Sequence, residues 1–134
     1  MTDEPQRRRW ARVVLRVAVA LLLIIHGVAR ASLGIVDDFG GFLASLGLPF
    51  GTAVAWLLTV VEIAGGLALA AGFLVLPLCV WFAVELATGI ALVHAPNGWF
   101  VVGAGRNGVE FSVLLIVCLV VITLEHPGRR RTSP

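Results

Sequence analysis

Charge is scarce in this chain. Asp, Glu, Lys and Arg make up 13% of its 134 residues, against about 25% in a soluble domain. Hydrophobic residues make up 59% and mean hydropathy is +0.99. That balance excludes an ordinary soluble domain and defines an integral membrane protein too short for more than one domain. Tyrosine and lysine are absent, so all ten basic residues are arginine; neither absence shifts the class. The net charge of +2 does not point to nucleic acid. Its arginines gather at the two ends, at Arg7, Arg8, Arg9, Arg12 and Arg16 and again at Arg129, Arg130 and Arg131, which is how membrane topology is written. The two cysteines, Cys79 and Cys118, sit in apolar runs, with no C-x-x-C and no His/Cys ligand cluster. They read as small buried hydrophobes, since a redox pair needs both sulfurs at one depth on touching helices. The chain carries no metal, haem, flavin, iron–sulfur or copper motif.

What is present is hydrocarbon in four runs. A helix needs about 20 apolar residues to cross about 30 Å of bilayer. The spans expected are about 12–33, 50–73, 76–93 and 107–124, forming an all-α integral membrane four-helix bundle over residues 12–125. Residues 1–11 and 126–134 are then tails. Only a short apolar turn separates spans two and three. Pro77 suits the first turn of a helix, where no intrahelical donor is lost, so these spans read as a tight hairpin. Counting arginines puts both termini in the cytoplasm of a multi-pass plasma (inner) membrane protein, with residues 34–49 and 94–106 facing outward. Trp10, Trp56, Trp81 and Trp99 lie toward span ends, as interfacial aromatics do.

The first outer loop carries Phe39, Phe42, Leu43 and Leu46 at i, i+3, i+4 and i+7. Asp37 or Asp38 can cap the start of this run and Gly47 with Pro49 can stop it. The pattern predicts a short amphipathic helix on the outer surface or over the bundle mouth; an ordinary apolar loop is the alternative. A second alternative concerns span one. Its arginines, apolar run and Ala29-Arg30-Ala31 also look like a secretory signal with an A-x-A cleavage site. The long apolar run and the acidic Asp3 and Glu4 in front of it favour retention.

Ionisable groups inside spans are costly and usually face the bundle interior or a wet cavity. Here they are His26, Arg30, Glu62, Glu85 and Glu110, with His94 and Asn107 at outer ends. His26 and Arg30, four residues apart, share a face; Arg106, Asn107 and Glu110 share another. Gly65 and Gly66, just beyond Glu62, leave room for a second backbone to approach. At about 1.5 Å per residue the polar set spans the outer half and the midplane, and the inner half holds almost nothing polar. One reading is structural: Arg30 pairs with Glu62 or Glu110 to make insertion tolerable and fix helix register. The other is an outward-facing pocket lined by His26, Arg30, Glu62, Glu110, Asn107 and His94. In it Arg30 anchors an anion or carbonyl, and the histidine and carboxylates orient it and exchange protons. Glu85 could instead face a second copy of the protein.

These features resemble the DoxX family of small four-span membrane proteins. The resemblance rests on RVAVALLLIIHGVAR in span one, FLASLGLP before span two, VEIAGGLALAAG within it, the short inner turn, His94, and NGVE opening span four. It covers about residues 12–125. The family's H-G followed by a basic residue is matched by His26, Gly27 and Arg30. Its glutamate before paired glycines is matched by Glu62, Gly65 and Gly66, and its span-four glutamate by Glu110. The chain departs from the pattern at the inner turn, GFLVLP, which lacks the usual basic residue, and at the tail, HPGRRR.

The resemblance implies an accessory or quinone-binding subunit of a redox system concerned with thiol, sulfur or oxidative-stress chemistry. A partner subunit would then hold the redox centre. If the chain is catalytic at all, it is as an oxidoreductase subunit. A quinone is the implied cofactor; the bilayer, a redox partner and a second copy are the partners. Two other classes compete: a non-catalytic scaffold whose polar cluster only fixes helix packing, and a transporter of a small solute or protons. The nearly uncharged inner half counts against transport.

Overall fold

The computed structural model describes residues 3–126. The basic tail, including Arg129, Arg130 and Arg131, therefore lies outside the described residues apart from His126. Among the described residues the chain is all-helical, with no strand. Helix α1 runs over Glu4–Ser32, α2 over Val36–Ser45, α3 over Gly51–Ala71, α4 over Val75–Gly89 and α5 over Glu110–Leu124. Past Gly89 the chain continues through a π turn, Ile90–His94, and a 3-10 turn, Ala95–Asn97. Three stretches, Glu4–Ser32, Gly51–Ala71 and Val75–Asn97, are long and apolar enough to cross a membrane. Helix α5 is apolar but has 15 residues, about 22 Å of helix. Residues 4–11, expected as tail, continue α1. The chain divides into two compact units, Ala20–Phe73 and the segments on either side of it.

In the unit Ala20–Phe73, helix ends are set by glycine. Gly34, Gly47 and Gly72 adopt φ of 68°, 90° and 86°, the left-handed region that costs glycine nothing. Each follows a helix and closes it with the same pair of backbone bonds. After α2, Gly47 N–H donates to Ala44 and Leu48 N–H to Leu43, a Schellman motif whose apolar contact is Leu48 against Leu43. The corresponding bond after α1, Ile35 N–H to the Arg30 carbonyl (3.2 Å), fixes how the chain leaves α1 for α2.

The expected amphipathic helix forms, but its buried face is rotated. Val36, Gly40 and Leu43 are buried and Phe39 half-buried, while Phe42 and Leu46 are exposed. The reason is Gly40. A Cβ there would lie 2.5 Å from Thr52 Cα, and one on Gly51 would strike the Gly40 carbonyl. Backbone-to-backbone approach of α2 and α3 brings the glycine side of α2 inward. Neither Asp37 nor Asp38 caps α2, as Ile35 holds the cap position without a side-chain bond. Asp37 instead accepts Trp56 Nε1–H from α3 (3.2 Å). Around this seam Val36, Leu43 and Ala55 form a core with Phe39, Leu48, Val54 and Leu58.

In the other unit, α4 packs on α5. Val75, Cys79 and Phe82 of α4 and Ser112, Leu115, Leu119 and Ile122 of α5 are buried at the three- and four-residue spacing of facing helices. Pro77 sits in the first turn of α4, and the first helical bond there is Leu78 N–H to Leu74 (3.0 Å). Pro96 has no N–H to continue the ladder. The helix there loosens and then tightens, and Asn97 Nδ2–H caps the Val93 carbonyl (2.8 Å).

Candidate functional site

Within the unit Ala20–Phe73, one stripe of α3 is buried throughout its length: Gly51, Ala55, Thr59, Glu62, Gly66 and Leu69. The spacings are four, four, three, four and three, so the stripe runs nearly parallel to the helix axis. Opposite it on α1 lie Ala20, Leu23 and Gly27, all buried, and half-buried Arg30. Glycines set the approach. A Cβ on Gly27 would meet Ile63 Cγ1 at 2.8 Å and the Thr59 carbonyl at 3.0 Å. One on Gly66 would meet Ile24 Cγ1 at 2.6 Å. Small residues of this kind let helices approach where lipid supplies no hydrophobic drive between them.

At the end of that seam Arg30 meets Glu62. Nη1 donates to Glu62 Oε2 at 2.9 Å and Nη2 to Oε1 at 3.3 Å, a two-pronged charge-assisted pair. Nη1 also donates to Thr59 Oγ1 at 3.0 Å. Thr59 Oγ1–H donates to the Ala55 carbonyl at 2.7 Å, which leaves its oxygen free to accept from the guanidinium. From α2, the Phe39 ring lies with its centroid 4.5 Å from the guanidinium carbon, within cation–π range. The Arg30 and Glu62 side chains are 15% and 8% exposed. Arg30 is also in the last turn of α1, where the helix dipole favours a cation. The geometry thus picks Glu62 from the two expected partners and adds two residues the sequence did not mark. Thr59 is an ordinary polar residue in a membrane helix, and Phe39 reads only as part of an apolar face.

His26 lies one turn before Arg30 on α1 and is exposed. In the other unit, His94, Asn107 and Glu110 organise the loop between α4 and α5. His94 Nδ1–H donates to the Asn107 carbonyl at 2.9 Å, so Nδ1 carries the proton. The Glu110 carboxylate accepts the Val101 N–H at 2.8 Å. Backbone bonds from Asn107 to Val101, Gly108 to Phe100, Val109 to Gly98 and Glu110 to Trp99 complete a narrow hairpin. These bonds hold residues 107–109 out of the helix, which is why α5 starts at Glu110 rather than at residue 107. Gly65 is half-buried. Glu85 accepts Trp81 Nε1–H at 3.1 Å, one turn away on α4.

An all-helical chain with membrane-length apolar helices and a charge pair sealed between two of them is a membrane protein of the small helical class. The chain belongs to the DoxX family, whose model matches residues 11–95, well over half of it. The matched stretch contains His26, Arg30, Phe39, Thr59 and Glu62, and ends before Asn107 and Glu110. Neither the curated proteins nor the solved structures compared with it gave a match.

Proposed function

We propose that this DoxX protein is an accessory membrane subunit of a redox system of the thiol, sulfur or oxidative-stress type, with the Arg30 site receiving the polar head of a quinone or similar small amphiphile. The observation that supports this is the state of the guanidinium. Glu62, Thr59 and Phe39 hold it rigidly, yet its Nε–H and second Nη2–H have no partner among the described residues. Those two donors suit a carbonyl oxygen, and the surrounding apolar wall suits a ring. Glu62 keeps the charge neutralised, so the ligand itself need not be anionic. In this reading His26, His94, Asn107 and Glu110 serve the same outer-side function, and the electrons pass through a separate partner subunit. The arginines at the chain ends support cytoplasmic termini in the plasma membrane, with Arg30 toward the outer surface.

One observation favours a second reading. The ion pair is already satisfied in two-pronged geometry and lies beside the closest backbone approach of α1 and α3. A purely architectural role would look the same. The test is native mass spectrometry from mild detergent, together with quinone-dependent turnover in membranes. The redox reading expects a retained quinone in the wild type, lost along with turnover when Arg30→Met and Glu62→Met are combined. Unchanged turnover in a correctly inserted double variant leaves only the architectural reading.

A further inference from the structure

A second site lies in the other unit, at the end of the helices opposite the outer loop. Arg9, Arg12 and Arg16 of α1 line a cleft of about 280 Å³ with Val13, Leu15, Val75, Val121, Ile122, Glu125 and His126. We propose that this cleft is a binding site for an anionic glycerophospholipid, its phosphate on the arginines and the start of its acyl chains against the valines and Ile122. Four observations carry the proposal. The three arginines fall at spacings of three and four, so α1 presents them along one side. They extend over about 10 Å of helix, comparable to the headgroup layer of one leaflet. Apart from Glu125 and His126 their neighbours are aliphatic, which an inorganic ion would not use but a lipid would. The volume is also several times the share of one water, about 30 Å³, so it suits a headgroup with its glycerol rather than a lone ion.

The charges are unequal in the right sense. Arg12 Nη1 donates to the Glu125 backbone carbonyl at 3.2 Å, which ties the guanidinium to the end of α5 while its other N–H groups stay directed elsewhere. Arg9 is exposed, and Arg12 and Arg16 are half-buried. The Glu125 carboxylate offsets part of this positive charge. Phosphatidylglycerol, an anionic glycerophospholipid whose headgroup is otherwise uncharged, is the probe. Arg7 and Arg8 belong to the same basic segment but do not line the cleft.

The test presents the purified full chain in detergent with equal amounts of phosphatidylglycerol and phosphatidylcholine and reads bound lipid by native mass spectrometry. Each basic residue near an anionic headgroup is worth roughly a fivefold preference. The wild type should therefore retain phosphatidylglycerol over phosphatidylcholine by an order of magnitude or more. Arg9→Gln with Arg12→Gln should lose about 25-fold of that preference. Arg7→Gln with Arg8→Gln should keep it, and millimolar inorganic phosphate should not displace the lipid. Equal retention of both lipids by the wild type would overturn the proposal, and needs no variant to insert. So would an equal loss in both double variants, which would mean net charge alone, or displacement by phosphate, which would mean a free-anion site.

Discussion

Glu62→Leu should be among the most damaging single substitutions in the membrane domain. It removes both carboxylate oxygens from a guanidinium that is only 15% exposed. Arg30 would keep Thr59 Oγ1 at 3.0 Å and the Phe39 ring, neither of which carries a compensating charge. Breaking a buried pair from one side costs about 3–5 kcal/mol. Arg30→Met should cost a similar amount, because it leaves Glu62, 8% exposed, with its charge uncompensated. The double variant Arg30→Met with Glu62→Leu behaves differently. No orphan charge remains, Thr59 still donates to Ala55, and apolar side chains of similar volume fill the seam. Such replacements are neutral or stabilising by about 1–4 kcal/mol elsewhere, so the double variant should fall within about 2 kcal/mol of the wild type. The coupling energy is then about 5 kcal/mol or more, read from a double-mutant cycle of reversible unfolding in mixed micelles. Single variants that each cost under about 1 kcal/mol, or a double variant as unstable as the sum of its singles, would refute the view that these two charges depend on each other.

Three further outcomes follow from the glycines and the turns. Gly40→Ala and Gly41→Ala should differ in sign: a Cβ on Gly40 meets Thr52 backbone at 2.5 and 2.8 Å, whereas one on Gly41 meets nothing within 4 Å. The first should lower the unfolding free energy by more than about 2 kcal/mol, and the second should raise it by about 0.5–1 kcal/mol through helix propensity. Gly27→Ala should cost about 1–3 kcal/mol, since the Thr59 carbonyl at 3.0 Å cannot move as a side chain would; a midpoint equal to the wild type would sink the close approach. Leu74→Gly should stabilise by about 1 kcal/mol, because Leu74 holds φ of 49°, a left-handed conformation that costs a residue with a Cβ roughly 1–2 kcal/mol; the same midpoint measurement decides it.

The sequence was informative where one physical cost dominates and ambiguous where two compete. Apolar run length makes the membrane helices legible, and the cost of charge in lipid marks Arg30 as needing a carboxylate partner, Glu62 or Glu110, between which the structure decides. The short helix before α3 was legible from its apolar spacing and from Gly47, which ends it. Its orientation was not. Periodicity weighs Phe42 and Leu46 as core because they are apolar, but in a membrane protein apolar residues are equally at home outside. Gly40 against Thr52 decided the face instead. The acidic residues in the first turn of α2 illustrate the same competition, since Asp37 reads as a cap in the sequence but takes the Trp56 indole as its partner. The start of α5 is not legible for a different reason: Asn107 and Gly108 are held by backbone bonds to residues 101 and 100, a pairing that side-chain periodicity does not encode.

Glycine and charge in the α1–α3 seam answer to one constraint. Lipid gives helices no hydrophobic reason to associate, so shape and polar contacts must supply both affinity and specificity. Gly27 and Gly66 bring the backbones together, but close approach alone does not fix where the charges meet. The two-pronged Arg30–Glu62 contact does fix it, because a shift of one turn, about 5.4 Å, takes both prongs out of reach. Conversely, an arginine alone could reach several partners on its flexible stem. The close approach at Gly27, one turn from Arg30, limits that freedom, and Phe39 and Thr59 flank the guanidinium. The seam therefore fixes the guanidinium in one place. That fixity is what a binding role at this site would require, and it explains why Thr59 and Phe39, silent in the sequence, belong to the same unit of structure as the charges.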